Sequence, residues 1–178
     1  MKQHIKSPLN YIGGKSKLLS QILPQFPNDI NNFVDLFAGG FNVGINVNAN
    51  KVYCNDNLVY LIEMFKKFNQ TEPTAIINHI ESRIAEYELS LTNQAAYTKF
   101  REFYNKTKKP LDLFVLIAYS FNHQIRFNNK HDFNNPFGKN RSSFNDRMKY
   151  NLVRFILKLK EMEVVFSSNC FTEFDFSF

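Results

Sequence analysis

The chain has no tryptophan, two cysteines, six glycines and six prolines among 178 residues. Cys54 and Cys170 stand far apart, outside any Cys-x-x-Cys pair and away from any histidine cluster. That spacing argues against a disulfide framework or a zinc site and for reduced thiols. No apolar run approaches the ~18 residues of a membrane span, and no charged-then-apolar leader opens the chain. A cytoplasmic protein without membrane or metal partners is therefore expected. Neither G-x-G-x-x-G nor a Walker-type phosphate loop occurs, which disfavours a dinucleotide or a nucleoside triphosphate as ligand.

What is abundant is phenylalanine, 20 residues, and positive charge, a formal +6 with a pI near 9.3. The first implies an aromatic core. The second raises the expectation of a polyanionic partner. At this length the chain can bury one substantial core with a small inserted lobe.

Apolar and polar residues alternate in patterns that indicate an α/β protein. Residues 15–24, "KSKLLSQILP", suit a short amphipathic helix ended near Pro24. "NNFVDLFAGG", 31–40, reads as a strand running into a double glycine, with a helix expected from about Phe41. "KVYCND", 51–56, reads as a second strand ending in an acid. Helices are expected over 58–69, over 74–90, onward to about Asn105, and over the apolar stretch 111–121. Residues 122–143 are rich in Asn, Lys and Arg, with Pro136 and Gly138 marking turns. A helix then begins near Ser143, whose spacing to Asp146 resembles a capping box, and a strand follows at 163–167.

Two glycine motifs carry the chemistry. In "FVDLFAGG" the pair Gly39-Gly40 permits positive φ and lets a ligand approach the backbone. Asp56 ends the next strand, where a carboxylate can accept ribose hydroxyls or simply cap the following helix. In "PLNYIGGKSKLL" the Tyr11 ring can stack on an adenine or cover a sulfonium, and Lys15 can meet a carboxylate. Between His123 and Tyr150 six Lys/Arg face two Asp. Such a segment can neutralise phosphates while offering Arg and Asn to base edges.

Taken together, these motifs resemble the Dam-type, D12-class DNA adenine N6-methyltransferases. Tyr11-Ile12-Gly13-Gly14-Lys15 matches the family's opening, with Tyr for Trp. Phe33-Val34-Asp35-Leu36-Phe37-Ala38-Gly39-Gly40 matches its cofactor loop, with Leu36 for Pro. Asn55-Asp56-Asn57 matches the acidic end of its second strand, and "FNHQIRFNNKHDFNNPFGK", 121–139, matches its recognition stretch.

The resemblance implies an incomplete Rossmann-like S-adenosylmethionine-dependent methyltransferase sheet with an inserted, mainly helical target-recognition lobe. The core would comprise 1–57 and 150–178 and the lobe 58–149, with a basic loop at 122–143. S-adenosylmethionine would meet Tyr11, Lys15, Asp35, Phe37, Ala38, Gly39, Gly40 and Asp56. Duplex DNA, with GATC as the suggested target, would meet Asn122, Arg126, Asn128, Pro136, Lys139 and Arg141.

The family's Asp-Pro-Pro-Tyr segment, which holds the flipped adenine's amine, does not occur. Asn135-Pro136-Phe137 is the nearest string and belongs to the recognition stretch. No catalytic residue is therefore assigned. The chain is expected to stop short of the catalytic strand and to be poorly stable or inactive alone. A catalytically silent remnant, or one half of an enzyme completed by a separate chain, is the competing reading. An enzyme acting on RNA or a small molecule is a third, which the basic loop disfavours.

Overall fold

A computed structural model describes residues 4–177. Three parallel strands form the sheet: β1 (Ile30–Asp35), β2 (Ala49–Asn55) and β3 (Glu163–Ser167), in the order β1-β2-β3. Phe33 pairs with Val52, and Val52 with Val164, so these three side chains share one face. β2 is central, and its Val52 and Cys54 are fully enclosed.

Among the described residues six α-helices accompany the sheet: α1 (Leu19–Ile22), α2 (Val59–Gln70), α3 (Pro73–Tyr87), α4 (Gln94–Thr107), α5 (Pro110–Tyr119) and α6 (Asp146–Lys160). α3 and α5 each begin with proline, whose missing N–H costs nothing at a first helical position. α5 is apolar nearly all round and buried from Leu111 to Tyr119, as such a helix must be. Its one charge, Asp112, accepts from His79 at 2.7 Å and Arg83 at 3.1 Å. One apolar cluster runs from Val52 and Cys54 through Phe65 and Phe68 of α2 to Phe114 of α5.

Three local expectations fail. No helix starts at Phe41; residues 39–46 form successive turns, and Phe41 itself has φ of 55°. The helix near residue 15 is shorter, with α1 passing into a 3-10 turn at Leu23–Gln25. α6 is capped by Asn145, which accepts from Met148 N at 3.0 Å, rather than by Ser143. The cap moves because Ser142 N is already bonded to Gly138 O, which keeps the chain in the preceding turn.

The two faces of the sheet are unequal. α2 and α6 cover the side of Val52 and Cys54. On the other side Val165 is exposed, and cover comes from the chain's last described stretch, where Phe174 stands edge-on to Tyr53 at 6.4 Å. β1 has a single strand neighbour, so along its other edge the backbone has no strand partner among the described residues. No helix among these residues is long and apolar enough to cross a membrane.

Candidate functional site

The carboxyl ends of β1 and β2 open onto a cavity of about 390 Å³. All eight residues expected around a cofactor line it: Tyr11, Lys15, Asp35, Phe37, Ala38, Gly39, Gly40 and Asp56. Ile12, Gly13, Gly14, Asn42 and Val43 complete its wall. The volume lies within the range of small-molecule sites.

Its shape follows from local turns. Gly14 N bonds to Tyr11 O at 2.9 Å, and Gly13 takes φ of +75° at the third position of that turn, a conformation that glycine suits. Phe41 N bonds to Ala38 O, with Gly39 at φ of +47°. A Cβ on Gly39 would come within 3.0 Å of the Tyr11 ring, so the two glycine motifs, 26 residues apart, touch.

The acids have structural partners. Asp56 accepts from Gly39 N at 2.8 Å through one oxygen and from Leu58 N at 3.0 Å through the other. It therefore clamps the glycine loop and caps the approach to α2 at once. Asp35 accepts from Gly44 N at 2.9 Å, and burial pushes its carboxyl above the usual range. Lys15 Nζ bonds to Gly13 O at 2.7 Å, folding the lysine back over its own turn. Phe37 is exposed at the cavity's edge, 5.5 Å from Phe171.

Residues without a local signal hold this frame. The buried Asn55 side chain donates to Leu36 O and Asn169 O and accepts from Ser167 Oγ and Asn169 N. It ties together the loops after all three strands. Asn46 exchanges hydrogen bonds with both backbone groups of Ile5, and Asn42 Oδ1 accepts from Ser7 N. The N-terminal segment is thus fixed against the turns that follow β1.

The 122–143 segment forms a hairpin bridged at Phe127 and Phe133. Asn122, Arg126, Asn128, Pro136, Lys139 and Arg141 are all exposed on it. Asn128 Oδ1 accepts from Lys130 N and Asp132 N, both at 2.9 Å, so it closes the tip. Arg126 Nε donates to Asn134 Oδ1 at 3.0 Å across the hairpin. Asn135, by contrast, is buried, and its amide donates to Phe121 O and Gln124 O. Asn10 Nδ2 reaches Asn122 O at 2.8 Å, joining the hairpin's base to the Tyr11 turn.

Lys108, at the end of α4, is the hairpin's anchor. Its ammonium lies 5.3 Å from the Tyr60 ring, 5.5 Å from Tyr104 and 5.9 Å from Phe127. It also donates to His131 O and pairs with Asp132 at 3.2 Å. Replacing Lys108 by Met keeps the stem and deletes the charge. The expected cost is about 1–2 kcal/mol, because a largely desolvated cation leaves its rings and a backbone acceptor. Faster amide exchange at Asn128 and Asn134, whose N–H groups close the hairpin, is the measurement; unchanged protection there refutes the anchoring role.

Among the described residues no cluster of His, Cys, Asp or Glu could hold a metal ion.

The family model for D12 class N6 adenine-specific DNA methyltransferases matches residues 11–175. The chain is 55% identical over 174 residues to the type II methyltransferase M.FokI of Planomicrobium okeanokoites, covering 98% of this chain and 27% of that protein. It is 53% identical to the modification methylase StsI of Streptococcus sanguinis over 99% of this chain and 27% of the relative. Identity to the DNA adenine methylase of Haemophilus influenzae is 28%, over 80% of this chain and 51% of that protein. The chain thus spans about a quarter of the length of M.FokI and StsI.

Proposed function

The chain belongs to the D12 class of N6 adenine-specific DNA methyltransferases, and from that premise we propose that it supplies their cofactor-binding and DNA-reading parts. The reaction served is methyl transfer from S-adenosylmethionine to N6 of adenine at a specific site in duplex DNA. The observation that carries this reading is the meeting of two distant glycine motifs at one cavity, with the base of a basic hairpin bonded to the same turn.

The residues present fit the cofactor. Side-chain-free glycines leave room at the floor, Asp35 and Asp56 give the wall a negative character, and Tyr11 offers a ring face. When bound, S-adenosylmethionine supplies a methyl group activated by its sulfonium. Asp35 and Asp56 would oppose the ligand's positive charges, and Lys15, released from Gly13 O, would offer its ammonium to the ligand's carboxylate. Phe37 screens the mouth of the cavity.

On the DNA side, Arg126 and Asn122 are proposed to face base edges, with Asn128 shaping the tip that presents them. Lys139 and Arg141 neutralise backbone phosphates, and Pro136 stiffens the returning strand. The amine of a flipped adenine needs acceptors that these 178 residues do not offer as an Asp-Pro-Pro-Tyr segment. We place those acceptors on a further segment, in the same or another polypeptide, that adds alongside the open edge of β1. That edge ends at the cavity, so a strand joining it would bring its own end to the cavity's mouth.

The test combines two measurements on the 178-residue chain. Equilibrium dialysis with labelled S-adenosylmethionine should show saturable binding, and its absence overturns the cofactor assignment. Methyl transfer to duplex DNA by the chain alone should be negligible; robust adenine methylation would refute the need for a further segment. GATC is the first target to try, on the hairpin's likeness to Dam-type proteins. The greater identity to two modification methylases, 55% and 53% against 28%, makes another adenine-containing sequence its competitor.

A further inference from the structure

A second basic surface lies away from the hairpin tip. Beside the cofactor cavity a cleft of about 600 Å³ runs between the N-terminal segment and the start of α6. A second hollow of about 550 Å³ adjoins it, the two sharing Lys6, Ser16, Lys17, Arg147 and Asn151 as lining residues. Its walls carry Lys6, Lys17, Arg147 and Arg154, with His4 and His123, and no Asp or Glu lines either part.

The charges on α6 are sorted by face. Arg147, Tyr150, Asn151 and Arg154 fall at helical spacing and line the trench. Lys149, Lys158 and Lys160 point elsewhere and pair with Glu81, Glu161 and Glu72. Among the described residues Lys6, Lys17 and Arg147 have no carboxylate partner. Unpaired cations converging on one trench repel one another, a cost that a bound polyanion removes.

We infer that this trench is a second DNA-binding surface, one that holds the phosphate backbone of duplex outside the sequence read by the hairpin. The inference rests on the DNA-methyltransferase reading. Continuity supports it: His123 and Gln124, at the hairpin's base, form one end of the trench, and the Tyr11–Gly14 turn is shared with the cofactor cavity. Arg147 and Arg154 are seven residues apart on a helix, ~10 Å along its axis. That distance corresponds to roughly three base-pair steps along a duplex axis. Contacts of this kind fix position and carry no sequence information.

The experiment measures duplex binding by fluorescence anisotropy at several salt concentrations. It compares the unaltered chain with a variant carrying Lys6→Gln, Lys17→Gln, Arg147→Gln and Arg154→Gln. Loss of four phosphate contacts should flatten the slope of log Kobs against log salt by about 3 to 4. Preference for one duplex sequence over another should not change. Lys158→Gln with Lys160→Gln, which removes paired lysines from the same helix, should leave the slope alone. Circular dichroism confirms that each variant folds; if the quadruple variant does not, Arg147→Gln with Arg154→Gln alone should flatten the slope by about 2.

An unchanged slope in a folded trench variant, with binding still lost in Arg126→Gln, overturns the trench while leaving the hairpin reading intact. An unaltered chain that binds no duplex overturns both. Loss of single-stranded RNA binding with duplex binding retained assigns the trench to RNA and refutes the inference.

Discussion

Replacing Asp56 by Ala should cost about 2–4 kcal/mol of stability and abolish measurable cofactor binding. The stability figure follows from two backbone N–H groups, those of Gly39 and Leu58, that lose their acceptor together. Each orphaned buried donor costs about 1–3 kcal/mol, and the partly covered Leu58 lies at the lower end. The effect on binding has a separate cause. Gly39 sits at φ of +47° beneath the Tyr11 ring, and the bond to Asp56 holds that turn in place. Without it the floor of the cavity is free to move.

Asp56→Asn distinguishes this clamp from simple charge loss. An amide keeps one acceptor but turns an N–H towards one of the two backbone donors, so it should fall between the parent and Asp56→Ala in stability. Urea midpoints, read beside titrations with S-adenosylmethionine, check the ordering. A midpoint in Asp56→Ala equal to the parent's would show that the carboxylate is not a clamp.

This double duty explains what could and could not be read from the amino-acid order. Asp56 invited a choice between ligand contact and helix cap, and the structure shows it bound to the glycine loop and the helix approach at once. Strand β3 was legible to the residue, and α2 to within one, because both present unbroken apolar periodicity. The eight residues expected around a cofactor line one cavity because each lies in a short motif at the end of a strand or in a turn; that gives their place and not what they bind.

Lys108 was not legible. Its three rings come from positions 60, 104 and 127, and only tertiary folding brings them to one ammonium. Asn55 was visible as part of a motif, but its role in tying three loops depends on residues more than a hundred positions away. The expected helix at Phe41 failed for a related reason. "FNVGINV" has an apolar rhythm, yet Phe41 takes a left-handed conformation to drive its ring into the core. Periodicity records which side chains are buried and not the backbone path that buries them.

The open β1 edge joins the fold to the proposed chemistry. An edge strand with free backbone groups is a site for pairing with another segment. Here Phe33 and Val34 are only partly buried on that edge, though both are residues that a central strand would enclose. A segment added there would cover them and reach the cavity mouth in one step. Stability and catalytic competence would then rise together, which is why weak stability of the 178-residue chain and negligible transfer are expected as a pair.

Gly44→Ala should lower stability by about 2–3 kcal/mol, although Gly44 is not at a positive φ. A Cβ built there would lie 2.1 Å from Cε2 of Phe41 and 2.8 Å from two further atoms of the same ring. The ring cannot yield cheaply: it is fully buried, with Phe65 at 6.0 Å and Phe155 at 6.5 Å between centroids. Overpacking of this kind costs about 1–3 kcal/mol, and the backbone strain already present at Phe41 leaves little room for relaxation. In a domain of this size the melting temperature should fall by roughly 5–10 °C. Gly44 N also donates to Asp35, so displacement of the turn should weaken cofactor binding in the folded fraction. Phe41→Leu with Gly44→Ala provides the decisive comparison, since a smaller side chain relieves the clash. The double variant should be more stable than the sum of the two single losses implies, by about 1 kcal/mol or more. Strict additivity of the two changes would show that the ring and the glycine are not in steric register.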